Sequence, residues 1–251
     1  VSLNIRTDLN LNFEKEIRTL IGSYVGGMIE GSDPVLKDEY VFVTAHYDHL
    51  GKRAESIYNG ADDNGSGTST ILEVAQSFAI AKAAGNGPKR SVVFIWVSGE
   101  EKGLLGSAYY VNDPIISLDQ TIVDINVDMV GRVDEKYENN PEYIYVIGAD
   151  KLSQDLHDIN EAVNSNFNKL TLDYTYNDEN DPNRYYYRSD HYNFAKNNIP
   201  VVFFFNGTHE DYHMTTDTVE KINFEKMEKI GQHVFHLAWE IANRAEKPQL
   251  K

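Results

Sequence analysis

Short apolar runs and longer amphipathic segments take turns along this chain. Near the start, Leu9, Leu11 and Phe13 and then Ile17, Thr19 and Ile21 recur at every second position, with Gly26-Gly27 as punctuation. A period of two predicts the edge strands of a meander. From Tyr40 onward the pattern changes: residues 40–45, 91–97, 121–127, 142–147 and 200–205 are β-branched or aromatic runs of strand length. Between them, residues 68–84 place Ile71, Leu72, Ala75 and Phe78 at helical spacing and stop at Gly85 and Gly87. Residues 153–167, 190–197 and 224–245 carry similar spacing. Strands apolar on both faces need cover on both, so the predicted class is α/β, a three-layer helix-sheet-helix arrangement. No internal repeat, low-complexity tract or long linker divides the 251 residues, which predicts one domain, 1–251.

Composition narrows the chemistry. Asp and Glu number 39 against 23 Lys and Arg, a formal charge of -16 that repels phosphates, so nucleic acid is not an expected partner. Cysteine is absent, which excludes disulfides and thiolate metal sites and leaves imidazole and carboxylate as metal ligands. The apolar runs fall far short of the ~20 residues that span a bilayer, so no membrane segment is expected. The chain opens at Val1 without an initiator Met or a signal-like leader, and is expected to be a processed form.

Metal-binding residue types follow the strand candidates. His46-Tyr47-Asp48 comes after the first, Glu100-Glu101 after the second and Asp128 after the third. In open α/β sheets the C-terminal strand edge carries the ligand crevice, so three strands deliver these side chains to one place. His213 can join them from the loop after residues 200–205, and Asp62-Asp63 stands in a glycine-rich turn at 60–67 that opens the first helix. Two imidazoles and several carboxylates form a mixed N/O set suited to zinc, or less selectively to manganese or cobalt, and numerous enough for two ions. Asp48, two residues after His46 in extended chain, can accept the other ring N–H of that histidine. Adjacent carboxylates at Glu100 and Glu101 repel unless a cation neutralises one, which leaves the other free to move protons.

These stretches resemble the co-catalytic zinc aminopeptidases of metallopeptidase family twenty-eight, relatives of the bacterial leucyl aminopeptidases and of glutamate carboxypeptidase. The resemblance runs through Thr-Ala-His-Tyr-Asp-His-Leu-Gly at 44–51, Gly-Ala-Asp-Asp-Asn-Gly-Ser-Gly at 60–67, Ser-Gly-Glu-Glu-Lys-Gly-Leu-Leu-Gly-Ser at 98–107, Asn-Val-Asp-Met-Val-Gly at 126–131, Arg-Ser-Asp-His at 188–191 and Tyr-His-Met-Thr-Thr-Asp-Thr at 212–218. It implies the zinc-dependent exopeptidase fold with a mostly parallel mixed sheet. It also implies two zinc ions, bridged by Asp63, with His46 and Asp128 completing one and Glu101 and His213 the other. By the same resemblance Glu100 is the general base and acid, Tyr212 donates to the oxyanion, Arg188 helps hold the substrate near its amino end, and the Asp63-Asn64 peptide is cis. The implied substrate is a peptide with a free N-terminus, and the implied location is secreted or periplasmic. Alternatives on the same fold are a one-zinc glutaminyl cyclase, a carboxypeptidase relative and a non-catalytic scaffold.

The remaining histidines read as structural. His233 and His236 lie on the last amphipathic helix beside Phe235, Leu237 and Trp239 and belong to its packing. His49, His157 and His209 read as surface residues or as neighbours of ligands, and His191 as either support for the cleft or a helix cap. The stretch 177–187, rich in Asp and Tyr, is expected to be a solvated loop rather than a substrate-lining flap or a calcium site.

Overall fold

The structure, a computed structural model, describes residues 7–251 apart from residues 9, 18 and 20. In chain order its elements are β1 (Val25–Ile29), β2 (Tyr40–His46), β3 (Gly51–Arg53), β4 (Ser56–Tyr58), α1 (Gly67–Ala83), β5 (Ser91–Val97), α2 (Leu105–Asn112), β6 (Thr121–Val127), β7 (Tyr143–Ile147), α3 (Gln154–Val163), β8 (Thr171–Asp173), α4 (His191–Ala195), β9 (Val201–Phe205) and α5 (Phe224–Asn243). Seven strands make one sheet in the order β1-β5-β2-β6-β9-β7-β8, and β3 and β4 form a separate hairpin. Strands β5, β2, β6 and β9 run parallel; β1 and β7 lie antiparallel to β5 and β9, and β8 is parallel to β7.

Successive side chains leave a strand on opposite faces, and both faces here are covered. Val41, Val43 and Ala45 of β2, Val92 and Phe94 of β5 and Val123, Ile125 and Val127 of β6 pack under Ile71 and Phe78 of α1, Leu156 of α3 and Val234 and Leu237 of α5. Phe42, Val93, Ile95, Val97 and Val201 face the other way, onto Tyr110 of α2 and Phe194 of α4. Each such side chain contributes about 1.5–3 kcal/mol of burial. At the centre of this second face the alternation turns polar. Thr44 and His46 on β2, Asp124 and Asn126 on β6 and Asp128 just beyond it are all buried, with Thr44 opposite Asn126 in register. This polar file leads along the parallel strands to their C-terminal ends.

The early alternation does not form a meander. Leu9 lies outside the described residues, and the described residues between 10 and 24 contain no strand. Leu11, Phe13, Ile17 and Ile21 are exposed there, so among the described residues the apolar set that the alternation would have aligned has no core to join. Gly26 and Gly27 sit inside β1, the edge strand, paired with Ile95 and Phe94. α3 ends at Val163 and passes into a wider turn, Asn164–Asn168. α2, β3, β4 and β8 were not predicted; the three strands have three residues each, too few to establish a period.

Candidate metal centre and active-site cleft

His46 is the last residue of β2, Asp128 follows β6, Glu100 and Glu101 occupy a 3-10 turn after β5, and His213 comes from the loop after β9. Asp63 reaches the same point from the turn that enters α1. Its two carboxylate oxygens face two different imidazoles: Oδ1 is 3.3 Å from His46 Nε2 and Oδ2 is 3.0 Å from His213 Nε2. His46 Nε2 is also 3.3 Å from Asp128 Oδ1, and His213 Nε2 is 3.3 Å from Glu101 Oε2. One ring nitrogen cannot serve two oxygens as a hydrogen-bond donor along one axis. A tetrahedral cation with ~2.0–2.1 Å bonds, however, separates its ligand atoms by about 3.3 Å. Such spacing would suit metal ligands around Asp63.

Electrostatics point the same way. Burial works to lower the pKa of His46, yet Asp128, Asp48 and Asp63 raise it well above the ordinary imidazole value. Asp63 and Glu101 push His213 up to about 10. The cluster is a strong sink for positive charge, which metal cations can fill.

The backbone around Asp63 is held by side chains. The Asp63-Asn64 peptide is cis. Asp217 Oδ2 accepts the N–H groups of Asp62 and Asp63 at 3.0 and 3.2 Å. Asn64 donates to Val127 O at 2.9 Å and accepts from Gly67 N at 2.9 Å and Met129 N at 3.1 Å, stitching the turn to the end of β6. A Cβ at position 67 would lie 2.3 Å from both Asn64 Oδ1 and Val127 O, so only glycine fits. Asp62 points away from the cluster; it accepts from Gly131 N at 2.7 Å, and its Oδ2 lies 3.0 Å from His209 Nε2. Asp128 is fixed by Ser189, whose hydroxyl donates to Oδ2 at 2.7 Å and accepts from Asn126 at 2.8 Å.

Asp48 acts differently from the sequence expectation. Its backbone carbonyl lies 3.0 Å from His46 Nδ1, whereas its carboxylate stands 3.7 Å away. The carboxylate instead accepts the N–H groups of Glu100 at 3.1 Å and Glu101 at 3.4 Å, because the 3-10 turn after β5 presents these free donors to it.

Glu100 offers an oxygen to the His46 and Asp128 group, all three ligand atoms lying within 4.8 Å of one another. Burial, then the charges of Asp128, Asp190 and Asp63, push its carboxyl up to about 9, with His46 working in the opposite direction. Asp190, buried behind it, accepts from Ser107 Oγ at 2.5 Å, and burial raises its carboxyl to about 6. On the far wall, burial and the charge of Asp63 raise the Tyr212 hydroxyl, so it keeps its proton. Arg188 donates to that hydroxyl at 3.2 Å and lies over the Tyr185 ring at 4.9 Å. The cleft, about 280 Å3, continues from Asp63, Glu100 and His213 onto Met129, Tyr185, Tyr187, Phe203 and Phe205. The stretch 177–187 therefore contributes to the cleft wall rather than serving only as a solvated loop. Its aromatic end is anchored because buried Tyr185 packs on Phe205 at 4.8 Å.

The other histidines divide. His233 is buried, 2.9 Å from Asn160 Oδ1, and pushed by burial down to about 3, as a core residue would be. His191 does not cap its helix; it is buried and stacks on Phe203 at 4.7 Å. His209 supports Asp62. His49 lies within the cluster itself, its Nδ1 2.7 Å from Glu101 Oε1 and 3.9 Å from Asp63 Oδ2. Sequence reading left Asp217, Ser189, Asn126 and Thr44 without roles. The available signal for Thr44 and Asn126 was a polar residue inside an otherwise apolar strand, and Ser189 and Asp217 fall within stretches already singled out.

The peptidase family M28 model matches residues 25–238, and the chain belongs to that family. It is 30% identical over 216 residues to a probable leucine aminopeptidase of Trichophyton verrucosum, covering 83% of this chain and 56% of that protein. It is also 30% identical over 218 residues to aminopeptidase YwaD of Bacillus subtilis, covering 84% and 43%. Its fold matches the crystal structure of a zinc aminopeptidase from Bacillus subtilis with a TM-score of 0.67 at 27% identity, over 89% of this chain and 51% of the other. The chain spans about half the length of the relatives it matches.

Proposed function

We propose that this chain is a catalytic domain, 1–251, of a metal-dependent aminopeptidase that removes the first residue of a peptide. The observation that carries this reading is Asp63, with one oxygen facing His46 and the other facing His213. His46, Asp63 and Asp128 would hold one zinc ion, and Asp63, Glu101 and His213 a second, with manganese or cobalt as possible substitutes. The zinc names carried by solved relatives support the choice of metal. Such ions supply a water acidified to near neutrality and polarisation of the scissile carbonyl.

The chain's own groups do the rest. Glu100, poised between His46 and Asp128 and kept ionised by the positive charge the cluster would hold, takes the proton of the attacking water and passes it to the leaving amine. Tyr212 holds its proton and donates toward the oxygen of the tetrahedral species, steadied by the Arg188 guanidinium behind it. Asp48 fixes the turn that carries Glu100 and Glu101. The carboxylates of the cluster would receive the cationic amino end of the substrate, and Arg188, exposed at the rim, would help hold the chain near that end. Met129, Phe203 and Phe205 line the apolar continuation of the cleft and suit an apolar first side chain. Comparing leucine arylamide with its N-acetyl derivative tests the reading: hydrolysis of the free amine only is expected, and equal hydrolysis of both would contradict it.

A further inference from the structure

His49 carries an imidazole that none of the roles above uses. It stands three residues beyond His46, on the loop that leaves β2, and its side chain is 8% exposed. Its Nδ1 is 2.7 Å from Glu101 Oε1, closer than any other imidazole–carboxylate approach in the cluster. The two atoms are nevertheless not in hydrogen-bond geometry: both ring nitrogens of His49 and Oε1 of Glu101 are buried without a hydrogen-bond partner. A cation bound by both atoms would satisfy them together. Asp63 Oδ2 lies 3.9 Å from the same ring nitrogen, and one ligand atom each from His49, Asp63 and Glu101 falls within 4.8 Å of the others. Leaving a buried imidazole and carboxylate oxygen unpaired would cost roughly 1–3 kcal/mol each, which a shared cation removes.

The surrounding chain is shaped to admit this ring. Gly60, in the left-handed region at φ +64, lies against it, and a Cβ there would sit 2.4 Å from His49 Cγ. The His213 ring meets it nearly edge-on with centroids 5.7 Å apart. Glu101 therefore stands between two imidazoles, with Oε1 toward His49 and Oε2 toward His213.

We propose that His49 is a further ligand of the ion held by Asp63, Glu101 and His213, bound through Nδ1. The proposal rests on the metal-centre reading above, and it makes the two sites unequal. The site on the His213 side has two imidazoles, whereas that of His46 has one. The extra neutral donor tightens binding there and fixes Glu101 with both oxygens directed at the ion.

The test uses metal-free wild-type protein, His49→Ala and His49→Gln, each titrated with zinc against a chromophoric chelator, with zinc-edge X-ray absorption on the loaded wild type. In the wild type, absorption is expected to show three imidazoles shared between two ions. His49→Ala is expected to keep one ion and to bind the second more weakly by over ~100-fold, beyond the usual loss of an outer hydrogen-bonding partner. His49→Gln keeps a donor for Glu101 without an imidazole and should be as weak as the alanine variant. Two imidazoles in the wild type, wild-type affinity for the second ion in His49→Ala, or its recovery in His49→Gln would overturn the assignment of His49 alone. A wild-type chain that takes up no zinc would overturn the metal-centre reading itself.

Discussion

Asp217 accepts the backbone N–H of Asp63 at 3.2 Å, so a carboxylate outside the cluster sets the orientation of the one that both halves of the cluster share. The same side chain receives the N–H of Asp62 with both oxygens at 3.0 Å. Asp217→Asn substitutes an amide that presents only one acceptor to these donors. A loss of zinc affinity of ~10–100-fold is expected, read by chelator competition, with kcat nearly restored at saturating zinc. Unchanged affinity would mean that the turn holds its shape without Asp217.

Glu100 moves protons in this account but is not required to hold either ion. Glu100→Gln should bind zinc with wild-type stoichiometry while kcat falls by ~10²–10⁴, the range for losing a general base. Steady-state kinetics together with metal analysis separate the two quantities. Full activity in the variant would remove Glu100 from the mechanism.

Asp63→Ala should behave in the opposite sense. One carboxylate faces both imidazoles, so its loss is expected to empty both positions and not merely one. Metal analysis after gel filtration reads the outcome directly. Two ions per chain in the variant would refute the bridge.

The buried histidines give the fold a defined acid sensitivity. Burial pushes His191 down to about 3, against a small upward contribution from the Tyr186 backbone, and burial likewise pushes His233 down to about 3. The unfolded chain binds these protons near pH 6.5 and the folded chain does not until about pH 3, so within that window the unfolded state holds more protons. Stability from both groups is therefore present above pH 6.5 and is lost progressively as pH falls toward 3. His191→Phe keeps the stack on Phe203 and should flatten the slope of unfolding free energy between pH 6 and 4 by roughly 1 kcal/mol per pH unit. Denaturant melts at a series of pH values measure this, and an unaltered slope would contradict it.

What the sequence disclosed follows physical lines. The parallel strands β5 and β6 were read to the residue because runs such as Ser91–Val97 and Thr121–Val127 are buried on both faces and bounded by turns. His46, Glu100, Glu101 and Asp128 were singled out because they stand at strand ends, and Asp63 and His213 because they fall in stretches shared with a recognisable family. Contacts that depend on a turn's backbone were hidden. Nothing in the letters shows that Asp48 would face the N–H groups of Glu100 and Glu101 rather than the ring of His46. His49 reads as a loop residue until the path of the chain beyond β2 brings its ring against Glu101. The misleading signal was the alternation ending at Ile21, which is 95% exposed: a period of two promises a strand only where another strand waits to pair with it.

The most direct test of the central claim is release of arylamine from leucine arylamide by the purified chain, before chelation, after chelation and after zinc is returned. Activity that a chelator abolishes and zinc restores is the expected result. Failure to hydrolyse this or any other free amino-terminal arylamide, in a folded sample shown to carry two zinc ions, would contradict the account.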